Sequence, residues 1–420
     1  MKSRCCFFIA VRYLLGRAHE GGRYLRGAAA GIAVSLIPIM ITLIVADGMI
    51  RGIVDRYMEL GTGHLQIFSF IEPESLEGIT EKVRGLDGVK GVWPERRGMG
   101  VLVGKKGKAG ASIRAVDPSF WQDRGSLEYL KLVAGSARAE TERDMLLGES
   151  LAASIGAEPG DTVRLMTVRT VADGKNIPRV TAFTVSGIVS SGYHELDALW
   201  CIITHEGGRR MLSADSSSSL IVKIDHPYAG IDDAVLSLYS VLGAGYSVYT
   251  WKDMMRSQYS SYESTRQLLL FIMTLIVIVA AVNVSSATSM LVIERQRDIA
   301  VLKVTGASAK GVAGVFLWGS FLTGLCGAII GITAGLLLGY FINPLIRSLE
   351  KLLSFFSGLG GGSEVKILDP GFYLETIPIV IDWFTVFLIG CFTILCSVAA
   401  SLIPAFRAGK LKPMELLRKY

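Results

Sequence analysis

Residues 267–293 read QLLLFIMTLIVIVAAVNVSSATSMLVI, and residues 294–308 follow as ERQRDIAVLKVTGAS. The first stretch carries no Asp, Glu, Lys or Arg. As a helix it would be about 40 Å long, more than the ~30 Å hydrocarbon core of a bilayer, so it is expected to tilt or protrude. Three further stretches, 27–46, 311–346 and 383–406, are equally free of charge. Each reaches the ~20 residues that a helical span needs. The chain has 420 residues, 50% hydrophobic and 19% charged, with a mean hydropathy of +0.44. That composition excludes a disordered chain, a coiled coil and a small disulfide scaffold, and it fits a membrane protein with four spans.

The remaining long stretch, 47–266, has ordinary mixed composition and is large enough for a folded domain with its own core. The predicted organisation follows: an interfacial N-terminal helix (1–26), a first span (27–49), an external domain (50–262), a second span (263–293), a charged connecting helix (294–310), a third span (311–343), an external loop (344–381), a fourth span (382–406) and a tail (407–420). The net charge of +6 does not point to nucleic acid, because it is unevenly placed. Segments 1–26, 294–310 and 405–420 are all basic, whereas 47–266 and 343–382 are acidic on balance. With four spans the three basic segments share one side, and the positive-inside rule makes it cytoplasmic. Both termini are then cytoplasmic and the large domain is periplasmic. The 27–46 stretch is too long for a cleaved signal, and no A-x-A site follows it.

Alternating patterns predict strands near His64–Phe70, Ser112–Val116, Thr162–Met166, Thr181–Ile188, Leu199–Thr204, Leu220–Ile224 and Tyr246–Tyr249. Helical patterns fit Glu74–Leu86, Leu146–Ile155, Gly207–Leu212, Ile231–Val241 and a last helix from Trp251 into the second span. The order is α+β without a clean βαβ repeat. Residues 104–110 and 170–179 read as exposed loops. Gly327, Gly331, Gly335 and Gly339 form one small-residue ridge on the third span, which lets another helix approach closely. Asn343-Pro344 is expected to end that span, and Pro38 to kink the first.

Sites for chemistry are absent from the pattern. No GxxxxGK[ST] loop occurs, and Gly104-Lys105 is a basic turn. The five histidines and six cysteines show no metal spacing. No charge interrupts a span, which argues against an intramembrane proton or ion path. The informative segment is 294–308, a short charged helix that Gly306 can end and after which Ser308 can cap the next. Two readings fit it: an interfacial connector, or a knob that docks into a cytoplasmic partner.

ERQRDIAVLKVTGAS, followed by a glycine-rich span, resembles the connection between the second and third spans in the FtsX/MacB superfamily of ABC transporter permeases. The ending IPAFRA and LKPMELLR (403–408 and 411–418) resembles that family's C-terminus. GIAVSLIPIMITLIVADGMIRGI, GTGHLQI, IRAVDP, MLLGESLAASIGAEPGDTVRL, FTVSGIVSSGYHELDAL and YLETIPIVIDWFTVFLI are similar to its lipoprotein-releasing LolC/LolE branch. These matches run in order along nearly the whole chain.

The resemblance implies a non-catalytic permease subunit with no cofactor of its own. ATP and magnesium would lie on two copies of a separate ATPase, and a second permease subunit, sister or identical, would complete the complex. Glu294, Arg295, Gln296, Arg297, Asp298, Ile299, Ala300, Lys303 and Gly306 would form the coupling helix. Lipoprotein acyl chains would enter a cavity lined by Val34, Ile37, Ile41, Val45 and Met49 of the first span and Leu268, Phe271, Ile272, Leu275 and Val279 of the second. A loop over Thr167–Val180, with Ala172, Asp173, Gly174, Lys175, Pro178 and Arg179, would either recruit a periplasmic lipoprotein carrier or serve as an ordinary hairpin connection. Asp47 stands where many members have Asn, and is expected to be solvated or to bias head-group preference. Two other outputs stay open, a signalling permease acting on an external hydrolase and an exporter of peptides or small molecules.

Overall fold

The computed structural model describes residues 3–15, 21–69, 75–139, 141–170, 176–212, 217–243, 245–359, 374 and 376–411. It divides into two compact units. One holds the residues up to Met49, those from Tyr262 to the end of the helix at Leu359, and those from Ile377 on; the other is built on Ile50–Ser261. Helices α1 (Ser3–Leu15) and α2 (Gly21–Arg56) open the chain. The inserted domain contributes α3 (Ser75–Arg84), α4 (Arg124–Tyr129), α5 (Glu149–Ile155), α6 (His194–Asp197), α7 (His205–Met211), α8 (Ile231–Val241) and α9 (Trp251–Met254). The chain then forms α10 (Arg256–Glu294), α11 (Gln296–Val304), α12 (Ala309–Tyr340), α13 (Ile342–Leu359) and α14 (Trp383–Lys410). Among the described residues α2, α10, α12 and α14 are long and apolar enough to cross a membrane.

In lipid there is no hydrophobic drive between helices, so they associate through close packing of small residues. The glycine ridge of α12 does this against α2. A Cβ on Gly327 would lie 2.8 Å from the Ala29 carbonyl oxygen and from Ile32, and one on Gly331 would lie 2.8 Å from the Ala33 carbonyl and Leu36. Gly335 meets Met40 and Gly339 meets Ile44. The partners advance together along both chains, so α2 and α12 run parallel. On another side α12 packs antiparallel to α14: Gly324 faces Ser397, and Gly409 faces Ala309. Thr393, Ser397 and Ser401 of α14 are buried. Helix α10 joins through Met273, Val277, Ala280 and Val284, which share a core with Leu36, Met40 and Leu43 of α2. Thr288 of α10 hydrogen-bonds Ser320 of α12 at 3.1 Å. Pro38 lies inside α2 without ending it.

Among the described residues the inserted domain carries ten strands: β1 (Leu65–Ser69), β2 (Val89–Val103), β3 (Lys108–Val116), β4 (Lys131–Gly135), β5 (Asp144–Gly148), β6 (Thr162–Thr170), β7 (Asn176–Ser190), β8 (Trp200–Thr204), β9 (Ser217–Ile224) and β10 (Tyr246–Thr250). β10, β1 and β9 lead to the first half of β2, while the second half of β2 pairs β6. The pairing β2–β3–β8–β5–β7–β6 returns to β2 and closes a ring. Leu102, Ile113, Met145, Leu147, Val163, Leu165, Phe183, Val185, Cys201 and Ile203 fill it, plugged by Leu151 and Ile155 of α5.

Beside the ring lies a buried charge network. Arg114 is 2% exposed and pairs with Glu95 at 2.7 Å, and Arg97 pairs with the second oxygen of the same carboxylate at 2.7 Å. Arg114 also donates to the Leu60 carbonyl, and Arg97 donates to that of Gly61 at 2.6 Å. Lys223, equally buried, reaches Glu59 at 3.0 Å and Asp123 at 2.8 Å. His64 Nδ1 accepts from the Ile224 N–H, so Nε2 carries the proton and donates to Glu59 at 2.8 Å. These bonds fix the π-type turn Tyr57–Thr62 to the sheet. Burial lowers the Arg114 pKa to about 10, with Glu95 opposing the shift, so it stays charged at neutral pH.

Several expectations need correction. Leu146–Gly148 belongs to strand β5 rather than to the helix, which starts at Glu149. β2 and β4 did not register as strands. The 104–110 loop shrinks to a turn before β3, and of the loop expected at 170–179 Thr170 belongs to β6 and Asn176–Arg179 to β7, the rest lying outside the described residues. The third span does end just before Asn343-Pro344, at Tyr340, but the pair opens a further helix rather than a loop. It sits in the first turn of α13, where proline's missing N–H has no helical partner to lose.

The glycine ridge gives a direct test. Gly331→Leu forces α2 off α12, and overpacking of this kind costs ~1–3 kcal/mol or more. Thermal unfolding in detergent should show a clearly lowered midpoint. Gly31→Ala, where a Cβ meets nothing within 4 Å, should leave the midpoint unchanged.

Candidate functional site

The charged segment after α10 folds as its residue types dictate. Helix α10 ends at Glu294, and Arg295 takes a non-helical ψ of 23°. Helix α11 then runs to Val304 and closes with a Schellman pattern: Gly306, at φ +94°, donates to Lys303 O at 3.0 Å, and Ala307 donates to Leu302 O at 2.9 Å. Ser308 caps α12 by accepting from the Gly311 N–H.

The two sides of α11 differ. Ile299 and Ala300 are buried, and Ile299 is packed with Leu25, Leu291, Val312, Phe316, Ala405 and Ala408. Arg295 and Asp298 form an ion pair at 3.3 Å; the Tyr13 hydroxyl donates to Asp298, and the Arg295 guanidinium lies 5.2 Å from the Tyr13 ring. Burial, with the Asp298 carboxylate adding to it, raises the Tyr13 pKa to about 12, so it remains a donor. Lys303 donates to the Leu411 carbonyl at 2.5 Å. Gln296 is half-buried. Glu294, Arg297, Val301, Val304 and Gly306 remain exposed. Arg297, Val301 and Val304 follow i, i+4, i+7 and form one outward stripe with an apolar middle.

On α10, Leu268, Phe271, Ile272, Leu275 and Val279 are all exposed and form a continuous stripe opposite Met273 and Val277. Val34 of α2 is exposed, whereas Ile37, Ile41, Val45 and Met49 are half-buried. Where α10 enters the bundle, Arg266 pairs with Asp47 of α2 at 2.9 Å and with Asp382 at 3.1 Å. Asp382 caps α14 through the Phe384 and Thr385 N–H groups. Asp47 is thus ion-paired rather than simply solvated.

Pro178 and Arg179 lie in β7, opposite Val168 and Thr167, and Arg179 donates to the Arg210 carbonyl at 2.6 Å. Ala172, Asp173, Gly174 and Lys175 lie outside the described residues. No group of His, Cys, Asp and Glu among the described residues has metal-binding geometry.

Two family models match the chain, the MacB-like periplasmic core domain over residues 27–229 and the FtsX-like permease C-terminal domain over residues 270–413. Together they take in most of it. The chain belongs to the FtsX-like ABC transporter permeases with a MacB-like periplasmic domain. It is 27% identical over 420 residues to the lipoprotein-releasing system transmembrane protein LolC of Neisseria meningitidis, covering 98% of each chain. To LolE of Haemophilus influenzae it is 23% identical, covering 99% of each. The solved periplasmic region of MacB from Actinobacillus actinomycetemcomitans aligns with 48% of the chain and 95% of that structure at 16% identity, with a TM-score of 0.33.

The permease is therefore an inner-membrane protein of four apolar helices with its large domain inserted between the first and second. Three of its contacts escaped sequence reasoning: Tyr13 with Asp298, Lys303 with Leu411, and Arg266 with Asp47 and Asp382. They join residues 285, 108, 219 and 116 positions apart, and no local pattern encodes them.

The Arg266 cluster yields a double-mutant test. Arg266→Gln leaves Asp47, whose side chain is 11% exposed, without its cation, which should cost about 1–3 kcal/mol. Adding Asp47→Asn should recover part of the loss of thermal stability in detergent; strictly additive losses would show that the two residues do not interact.

Proposed function

We propose that this permease is the membrane subunit of an ATP-driven transporter that extracts lipoproteins from the outer leaflet of the cytoplasmic membrane and passes them to a periplasmic carrier. The observation that carries the reading is full-length similarity to proteins named as LolC and LolE, with almost no part of either chain left over. Both termini and α11 then face the cytoplasm, in keeping with the basic segments beside them. Two copies of a separate ATPase, holding ATP and magnesium, work on the complex, and the permease supplies no catalytic group.

The chemistry of the spans suits this work. Each acyl CH₂ withdrawn from the bilayer costs ~0.8 kcal/mol, so removing a lipid-anchored protein needs a driven machine. The exposed stripe Leu268–Val279 on α10, with Val34 and the half-buried Ile37, Ile41, Val45 and Met49 of α2, offers an uncharged wall for such chains. Further along α10, Asn283 and Ser286 are also exposed. Polar side chains facing lipid are costly, which favours a second permease subunit or a wet space at that face. The carrier would meet the Thr167–Val180 segment, near Pro178 and Arg179.

Docking of the ATPase is assigned to Arg297, Val301 and Val304, with Glu294 beside them. Arg297→Glu combined with Val301→Asp should abolish co-purification of the ATPase and leave membrane insertion unchanged. Ile299→Asp, by contrast, should lower thermal stability, because it places a charge in the core of the bundle.

The function itself is tested by affinity purification from native membranes in mild detergent, with mass spectrometry of everything retained. An ATPase, a sister permease and triacylated lipoproteins are expected. An ATPase with a cell-wall hydrolase, and no lipoprotein above background, would replace transport with signalling.

A further inference from the structure

The segment after the third span was expected to be an external loop, yet its first half is helix α13, with the sequence INPLIRSLEKLLSFFSGL. Ile342, Leu345, Ile346, Leu349, Leu352 and Leu353 fall at the i, i+3, i+4, i+7 spacing of one helical stripe. Arg347, Glu350, Lys351 and Ser354 occupy the opposite arc. Ile342 is buried at the junction, but Leu345, Leu349, Leu352 and Leu353 are 49%, 47%, 55% and 38% exposed. A water-facing loop helix has no reason to present four leucines in line.

Three observations say what covers them. First, α13 starts one residue after a membrane span ends: α12 stops at Tyr340, and Phe341 alone intervenes. Pro344 accounts for the break, since in a continuous helix its ring would clash with the Tyr340 carbonyl. Second, the stripe continues a surface that already faces lipid. Ile330 and Leu337 on α12 are 58% and 60% exposed, and Tyr340 and Phe341 stand exposed at the join with rings 5.2 Å apart. Aromatic side chains favour the level where hydrocarbon meets head groups. Third, the start of α13 is held at the bundle end. The Asn343 side chain donates to Ile377 O at 2.9 Å and accepts from Ile377 N–H at 3.0 Å.

We infer that α13 lies flat in the membrane surface, its leucine stripe sunk among the acyl chains of the leaflet at the end of α12 and its Arg347–Lys351 face among the head groups. This is the arrangement of an interfacial amphipathic helix, with the apolar face ~5–10 Å into the boundary region. The partner is lipid, and the inference stands whatever cargo the permease moves. Seated in this way, α13 fixes the depth of α12 and, through Asn343, of the chain entering α14.

The test uses the full-length permease reconstituted in vesicles of phosphatidylethanolamine and phosphatidylglycerol. All described cysteines are free, so they can be replaced by alanine without breaking a disulfide. Spin labels are then placed singly at Leu349→Cys, Lys351→Cys and Leu352→Cys, using preparations that match the parent in gel filtration. Collision with oxygen, which concentrates in the bilayer, should be several-fold higher relative to a water-soluble nickel reagent at positions 349 and 352 than at 351. Equal nickel access at all three positions would place the helix in water and overturn the inference. Low access to both reagents at 349 and 352 would overturn it as well, since protein rather than lipid would then cover the stripe.

Discussion

The membrane part of this molecule depends on backbone-to-backbone approach along α12. Lipid tails compete evenly with leucine for any apolar helix face, so burial alone cannot choose a helix partner. Glycine at every fourth position removes the side chains that would hold α2 away, and the carbonyls of Ala29 and Ala33 come to the α12 surface. The face toward α14 follows the same logic with Gly324 against Ser397. Two close contacts on different sides of one helix fix α2, α12 and α14 as a set. α10 joins that set through medium-sized side chains and one hydroxyl pair, Thr288 with Ser320.

The inserted domain meets the opposite problem, because it must fold in water around charges. Its ring of strands is filled by alternating apolar side chains, and the charged groups collect beside it in pairs. Glu95 accepts from both Arg97 and Arg114, and those same arginines satisfy the Leu60 and Gly61 carbonyls, where the chain leaves its helical path. A buried charge is tolerable only when its partners are complete, and removing one partner leaves another charge stranded. The network therefore specifies how the turn after α2 meets the sheet more than it adds stability.

The elements legible in the sequence were those whose signal is local. Uncharged runs marked the four spans, strict alternation marked β3, β7 and β9, and Gly306 and Ser308 announced the end of α11 and the start of α12. What stayed hidden has identifiable physical causes. β2 contains Pro94 and the charged triplet Glu95-Arg96-Arg97, which read as a break; in the fold Pro94 stands opposite Leu220, and Glu95 is buried by a cation from another strand. Leu146 and Leu147 fit a helical pattern because strand and helix meet there without a break at Gly148. α13 was lost because the Asn343-Pro344 pair reads as a stop, although proline is at ease in a first turn. Within the connecting segment, Ile299, Leu302 and Val304 are all apolar and look alike in sequence. Only packing separates Ile299, which is buried, from Val304, which is exposed.

That separation bears on how a push on α11 would spread. The helical path from α10 is interrupted at Arg295, although the Arg295 N–H still donates to Leu291 O and the Ile299 N–H to Arg295 O. The inner face of α11 meets Leu25 of α2, Leu291 and Val292 of α10, Phe316 of α12 and Ala405 and Ala408 of α14, and its last turn is tied through Lys303 to Leu411. Of these four helices, α2, α12 and α14 are locked together by small-residue contacts. A force on Arg297 or Val301 would therefore reach the end of α10 and the body α2–α12–α14 together. α10 responds through its own contacts with that body, along Met273–Val284 and at the Arg266 ion pairs. Relative motion within the unit is cheapest at the α10 boundary, because sliding medium-sized side chains past one another costs less than separating backbones in close contact. The exposed stripe Leu268–Val279 lies on that same helix, so this apolar surface belongs to the element freest to move.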